Sequence, residues 1–117
     1  MSFSATLSRN GTIALIKLDG VLDALTAPAF RDEVERAAEH EVDQLVLDMT
    51  NVSYLSSAGL RTIVYARQKM PDGIRIVLVG ANEAIQRTIR LVGFQYSVEL
   101  ADRIPGSDDS GADAGTG

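Results

Sequence analysis

Two short segments that are almost wholly apolar constrain the fold of this chain more than any other feature. They are QLVLDM, residues 44–49, and IRIVLVG, residues 74–80. Strands of a parallel sheet that is covered by helices have this near-continuous apolar character. Strands with one solvent-exposed face instead alternate between apolar and polar residues. The segments therefore predict two neighbouring parallel strands beneath at least one layer of helices.

Three segments with helical spacing of apolar residues surround these strands. The first is predicted to start at Thr26, as its cap, with Pro28 in its first turn, and to run to about residue 40. The second spans residues 57–69, and the third is capped by Asn82 and ends before Gly93. The side chains predicted to face inward are Phe30, Val34, Ala37 and Ala38 in the first helix, Leu60, Ile63, Val64 and Met70 in the second, and Ile85, Ile89 and Val92 in the third.

The amino-terminal part predicts a β-hairpin. Residues 2–9 alternate between polar and apolar side chains, and residues 12–18 form a second apolar run. The intervening Asn10-Gly11 pair favours a type I′ turn, in which both central residues have positive φ. Asp19-Gly20 is expected to end or bend the second strand, followed by a loop or short strand over residues 21–25.

With a last short strand at residues 97–100, the element order is β-β-α-β-α-β-α-β. This order predicts one α/β domain with a mixed four- to five-stranded sheet and three to four helices packed against it. We expect the domain to span residues 1–104. Residues 105–117 contain Gly, Ser and Asp but no apolar residue larger than Ala, so we expect a disordered, solvated acidic tail.

Composition excludes several classes of function. The chain has no cysteine, which removes disulfides, zinc–thiolate sites and thiol nucleophiles from consideration. The formal net charge of −5, without a basic cluster, makes binding to nucleic acid or to an anionic membrane unexpected. The first residues have neither the basic cluster nor the apolar run of a signal peptide, so we expect a cytoplasmic protein.

Ser56 and Ser57 interrupt apolar sequence just before the second predicted helix, and three interpretations are open. One hydroxyl can cap the helix, although capping requires only one of the two serines. An exposed serine at a helix N-terminus can also be a phosphorylation site. A serine nucleophile is disfavoured, since the one histidine, His40, is expected at the far end of the first helix.

A magnesium site near Ser57, at the edge of the predicted sheet, is a further interpretation. Its ligands would come from Asp19, Asp23 and Asp48, with Asp48 ending a strand. Solvated loop aspartates are the favoured alternative, with Asp48 accepting hydrogen bonds from the backbone that follows it. We therefore predict no metal site.

Two motifs in this sequence resemble the STAS domain family, as found in bacterial anti-sigma factor antagonists. Residues 47–64, LDMTNVSYLSSAGLRTIV, resemble the pattern L-D-[LM]-S-x-V-x-[FY]-[LIM]-D-S-[ST]-G-L, and residues 18–34, LDGVLDALTAPAFRDEV, resemble L-x-G-x-[LI]-D-x-x-T-A-x-x-[LF]-[RK]. The closing segment IRLVGFQ also resembles the end of the family, so the resemblance covers about residues 3–103.

The resemblance implies a binding switch without catalytic residues or cofactors. Such antagonists bind an anti-sigma factor that is a serine kinase, which releases the sigma factor. The kinase then phosphorylates one serine of the antagonist, and a serine phosphatase reverses the step. Aligned on the motif, the phosphoacceptor is Ser57. The residues implied to contact the partner are Asp23, Thr26, Ser56, Ser57, Ala58, Gly59 and Arg61.

Two departures from the motif bear on the site. Ser56 stands where the motif has Asp, and Ala58 where it has Ser or Thr, which leaves Ser56 as a rival phosphoacceptor. An alternative function is therefore a STAS scaffold without phosphorylation, such as a subunit of a signalling or lipid-transport assembly, in which both serines only support the helix.

Overall fold

The computed structural model describes residues 3–103, and the predicted tail 105–117 and the boundary at residue 104 lie outside them. The described elements are β1 (Ser4–Asn10), β2 (Ile13–Leu22), α1 (Ala27–Ala38), β3 (Gln44–Leu55), α2 (Ser57–Lys69), β4 (Arg75–Val79), α3 (Glu83–Leu91), a 3₁₀ turn (Phe94–Tyr96) and β5 (Glu99–Ala101). They confirm the predicted α/β class and element order.

The five strands form one mixed sheet in the order β1-β2-β3-β4-β5. β1 is an edge strand antiparallel to β2, and every other neighbouring pair is parallel. Each parallel pair is joined through a helix, as a parallel crossover requires. The carboxyl ends of β2 and β3 therefore lie at one edge of the sheet, where α1 and α2 begin.

The hairpin turn lies one residue further along than predicted. Asn10 pairs with Ile13, so the two-residue loop is Gly11-Thr12, and Gly11 has φ of +63°. Glycine adopts this positive φ without strain, so Gly11 takes the first loop position and the predicted Asn10-Gly11 loop was wrong by one residue. The observed register places Leu7 opposite Ile16, whereas the predicted turn would have paired Leu7 with Ala14.

β2 and β3 are much longer than predicted. β2 continues through Asp19-Gly20 to Leu22, and β3 continues past Asp48 to Leu55. From Gly20 opposite Val52 to Leu22 opposite Leu55, the two strands pair only with each other among the described strands, and two register shifts lie between Lys17 and Val21. This ribbon supports the start of α2.

The main core lies between the sheet and all three helices, because one set of alternate strand residues packs with the buried residues of each helix. Four predicted core positions are not fully buried in the structure: Ala38, Leu60, Val64 and Val92. Val92 is 57% exposed, because α3 ends at Leu91 and Gly93, at φ of +75°, turns the chain away. In α2, Thr62 and Ala66 are buried, whereas Leu60 and Val64 are half-buried.

Candidate functional site

The start of α2 is attached to the ends of both long strands. The Ser56 N–H donates a hydrogen bond of 2.9 Å to the Leu22 carbonyl, at the end of β2. Leu55, the residue before Ser56, is the last residue of β3. The first turn of α2 therefore has a position fixed by the sheet rather than by a flexible loop.

Ser56 is the N-cap of α2. Its backbone is extended, with φ of −85° and ψ of 174°, and its hydroxyl accepts a hydrogen bond of 3.2 Å from the Gly59 N–H. This bond satisfies one of the amide groups that a helix start leaves without a partner, which typically contributes about 1 kcal/mol. Of the two serines, Ser56 performs the capping role.

Ser57 is the first helical residue and its side chain is exposed. Within residues 3–103, its hydroxyl takes part in no side-chain hydrogen bond. The N-terminal end of a helix is electropositive and favours an anion. The Ser57 oxygen is thus accessible to another protein, and a negative charge placed on it is compatible with the helix.

Gly59 is buried, and its position explains why this residue is a glycine. A Cβ atom there would lie 2.7 Å from the Leu22 carbonyl oxygen and 2.7 Å from the Leu55 Cδ1 atom. The missing side chain therefore allows α2 to approach the ends of β2 and β3. The contact of Gly59 with a partner stays a prediction.

Asp23 and Thr26 fold the loop between β2 and α1. The Asp23 carboxylate accepts hydrogen bonds from the N–H groups of Leu25 (3.0 Å) and Thr26 (3.2 Å). The Thr26 hydroxyl donates to the Val21 carbonyl at 2.7 Å and accepts from the Asp23 N–H at 2.9 Å. Thr26 precedes α1 as predicted, but its side chain does not cap the helix, because its hydroxyl is used within the loop.

The loop and the start of α2 form a shallow depression, which we call the Ser57 concavity. It contains most of the predicted site residues, while Thr26 and Gly59 do not line it. The lining residues are Asp23, Ala24, Leu25, Ser56, Ser57, Ala58 and Arg61. Leu25 is 90% exposed, so a large apolar side chain stands in water beside the Ser57 hydroxyl.

A polar network joins α1 and α2 next to this concavity. The Tyr65 hydroxyl donates a hydrogen bond of 2.7 Å to the Glu35 carboxylate, and the Arg31 guanidinium lies 4.3 Å from the centre of the Tyr65 ring. Arg31 also lies 3.6 Å from Glu35. The hydrogen bond from Tyr65, more than the charge of Arg31, lowers the pKa of Glu35 below its ordinary value of 4.5.

The arrangement does not support a serine nucleophile or the imagined metal site. His40, the one histidine of the chain, follows α1, near the start of β3, and β3 is about 36 Å long, so His40 is remote from Ser57. Asp48 lies inside β3, not at its end, and accepts hydrogen bonds from Thr50 at 2.7 and 3.1 Å. Within residues 3–103 no three acidic or histidine side chains form a metal-binding group, and no helix there is long and apolar enough to span a membrane.

Two features of this region were not predicted from the sequence. Leu25 falls in a stretch predicted only as a loop or short strand, and its exposure depends on how this loop meets α2 in the fold. The bond between Tyr65 and Glu35 joins residues thirty positions apart, and nothing in the local sequence indicates it.

This chain is similar to proteins of one known family over most of its length. The family model described as "STAS domain" matches residues 4–105. The chain is 32% identical over 85 residues to the anti-sigma-B factor antagonist of Listeria monocytogenes, covering 69% of this chain and 72% of the relative. It is 23% identical over 99 residues to the anti-sigma-F factor antagonist RsfB of Mycobacterium tuberculosis, covering 85% and 81% of the two chains. An anti-sigma factor antagonist from Mycobacterium paratuberculosis has a similar fold, with a TM-score of 0.80, 22% identity and 88% of each chain covered.

Proposed function

This chain belongs to the STAS domain family, and we propose that it is an anti-sigma factor antagonist switched off by phosphorylation of Ser57. It would bind an anti-sigma factor through the Ser57 concavity and so release a sigma factor. Relatives matching most of the chain are named for the same role, toward sigma-B and sigma-F. The proposal is for a binding protein, not an enzyme, acting in the cytoplasm where sigma factors work.

The observation that supports this proposal most strongly is the different use of the two serines. Ser56 accepts a hydrogen bond from Gly59 as the helix cap, whereas the Ser57 hydroxyl is exposed within the concavity. A kinase needs access to an exposed hydroxyl that makes no hydrogen bond on which the fold depends. Ser57 meets this requirement, and Ser56 does not.

The replacement of the motif's Asp by Ser56 is compatible with this assignment. Asp and Ser are both strong N-cap residues, since each offers an oxygen to the amide groups of the first turn. Ser56 therefore retains the structural task that an Asp would perform at this position. In the alternative, with Ser56 as the phosphoacceptor, the modified oxygen is the one that accepts the hydrogen bond from the Gly59 N–H.

The proposed switch works through charge at a contact surface. The anti-sigma factor, acting as a kinase, transfers the γ-phosphoryl group of ATP to the Ser57 oxygen, which releases a proton and ADP. The phosphate adds between −1.5 and −2 charges at neutral pH. A buried charge without a partner costs several kcal/mol, and each 1.4 kcal/mol weakens binding tenfold. A metal-dependent serine phosphatase would restore the binding form.

Phosphate transfer to Ser57 tests this proposal directly. We would incubate the chain with ATP and the kinase-type anti-sigma factor encoded by the same genome, and measure intact mass. We expect a gain of one phosphate in the wild type and none in Ser57→Ala. Ser56→Asp is the matched control, since it keeps a cap, cannot itself be phosphorylated, and should gain the phosphate as the wild type does.

Two outcomes would contradict the proposal. If Ser56→Asp loses the phosphate while Ser57→Ala keeps it, Ser56 is the phosphoacceptor. If the wild type gains no phosphate but still binds the anti-sigma factor, the chain is a scaffold of the STAS type rather than a phosphorylation switch.

A further inference from the structure

The groove between α1 and α2 adjoins the Ser57 concavity and is basic, although the chain as a whole has a net charge of −5. Two arginines and no carboxylate line it, together with small apolar side chains. The lining residues of this α1–α2 groove are Ala24, Ala27, Pro28, Arg31, Ala58, Arg61, Thr62, Val64, Tyr65 and Gln68. Its charge is complementary to an acidic segment, and its small side chains leave room for one.

The two arginines of the groove are not equivalent. Arg31 lies 3.6 Å from Glu35 and stacks on Tyr65, so its charge is already partly balanced. Arg61 is exposed, and within residues 3–103 it forms no ion pair. Arg61 is therefore the cation that this groove offers to another molecule.

Arg61 also belongs to the Ser57 concavity, so it connects the two surfaces. It follows Ser57 by four residues on α2, and side chains with this spacing are neighbours on one helix face. A phosphate on Ser57 would lie within reach of the guanidinium, which binds phosphate oxygens in a two-pronged manner. The carboxylate of Asp23, in the same concavity, is used by the N–H groups of its own loop.

We propose that Arg61 is the residue through which phosphorylation of Ser57 controls the α1–α2 groove. In the unphosphorylated protein, Arg61 binds a carboxylate on an acidic segment of the partner that lies along the groove. After phosphorylation, the phosphate pairs with Arg61 and removes the one unpaired cation of the groove. The inference rests on the proposed function, because it takes Ser57 as the phosphoacceptor and the anti-sigma factor as the partner.

A partner-free titration tests the contact between the phosphate and Arg61. The second ionisation of the phosphate on Ser57, introduced as genetically encoded phosphoserine, would be followed by ³¹P NMR. Arg61→Gln should raise this phosphate pKa by about 0.2 to 0.7 pH units, the size expected for an exposed ion pair. Arg87→Gln, at an exposed arginine of α3, is the control and should leave it unchanged. An equal pKa in wild type and Arg61→Gln would overturn the inference.

Binding of the anti-sigma factor tests the second half of the inference. Unphosphorylated Arg61→Gln should bind about tenfold more weakly than the wild type, while Arg87→Gln should bind equally well. Wild-type affinity in Arg61→Gln would refute the docking of an acidic segment on Arg61. If the wild type itself fails to bind, the proposed function is wrong and this docking with it, whereas the titration still decides whether Arg61 holds the phosphate.

Discussion

Ser56 and Ser57 carry the same side chain on adjacent residues, and the backbone gives them different roles. The extended conformation of Ser56 directs its oxygen back to the Gly59 N–H, while the helical position of Ser57 leaves its oxygen exposed. The sequence predicted that one serine would cap the helix but did not identify which one. That choice depends on the bond from Ser56 to Leu22, which joins residues distant in sequence.

Gly59→Ala should destabilise the domain, because its Cβ would clash with the Leu22 carbonyl oxygen. This oxygen belongs to the backbone at the end of β2, so it cannot move without disturbing the strand. We expect the free energy of unfolding to fall by about 1–3 kcal/mol, the usual cost of overpacking. Urea denaturation monitored by circular dichroism would measure it.

Gly73→Ala is the matched control for this change. Nothing lies within 4 Å of a Cβ at Gly73, and its φ is outside the left-handed region. We expect a change of at most about 0.5 kcal/mol there. Equal stabilities for the two variants would show that α2 does not need the close approach that Gly59 permits.

At the scale of elements, the sequence predicted the existence and type of every helix and strand better than their lengths. The second helix was predicted over its observed range, because Ser57 and Pro71-Asp72-Gly73 mark its ends. β2 and β3 were predicted too short, because Asp19, Gly20 and Asn51 are poor strand formers. Pairing between the two strands overrides these local preferences, and only the fold brings the strands together.

The contact between α1 and α2 makes a prediction about acid titration. Tyr65→Phe removes the hydrogen bond that contributes most to the lowered pKa of Glu35, so that pKa should rise toward its ordinary value of 4.5. A carboxyl group whose pKa is lowered by folding stabilises the protein at pH values above its unfolded-state pKa. This contribution to stability is lost as the pH falls through the folded-state pKa. The variant should therefore lose less stability in acid than the wild type.

NMR titration of the Glu35 side-chain carboxyl would measure this change. Glu99 is the internal control, because its pKa is lowered by Arg75 on the other side of the sheet and Tyr65→Phe should not affect it. An unchanged Glu35 pKa in the variant would mean that Tyr65 does not hold that carboxylate in solution.

At the scale of the whole molecule, the strand order decides where the candidate site forms. The carboxyl ends of β2 and β3 are adjacent, so the loop with Asp23 and Leu25 meets the start of α2. The motifs indicated Asp23 and Ser57 as members of one site, but neither Leu25 nor the basic α1–α2 groove could be predicted. Both depend on exposure and on helix packing, which no local sequence pattern records.

The affinity of the anti-sigma factor for the phosphorylated and unphosphorylated forms of this protein tests the central claim most directly. Isothermal titration calorimetry would compare the wild type with a sample carrying phosphate on Ser57 alone, after circular dichroism has shown that both are folded. We predict that the phosphate weakens binding at least about tenfold, since it places a dianion on the contact surface. Equal affinities for the two folded forms would contradict the account.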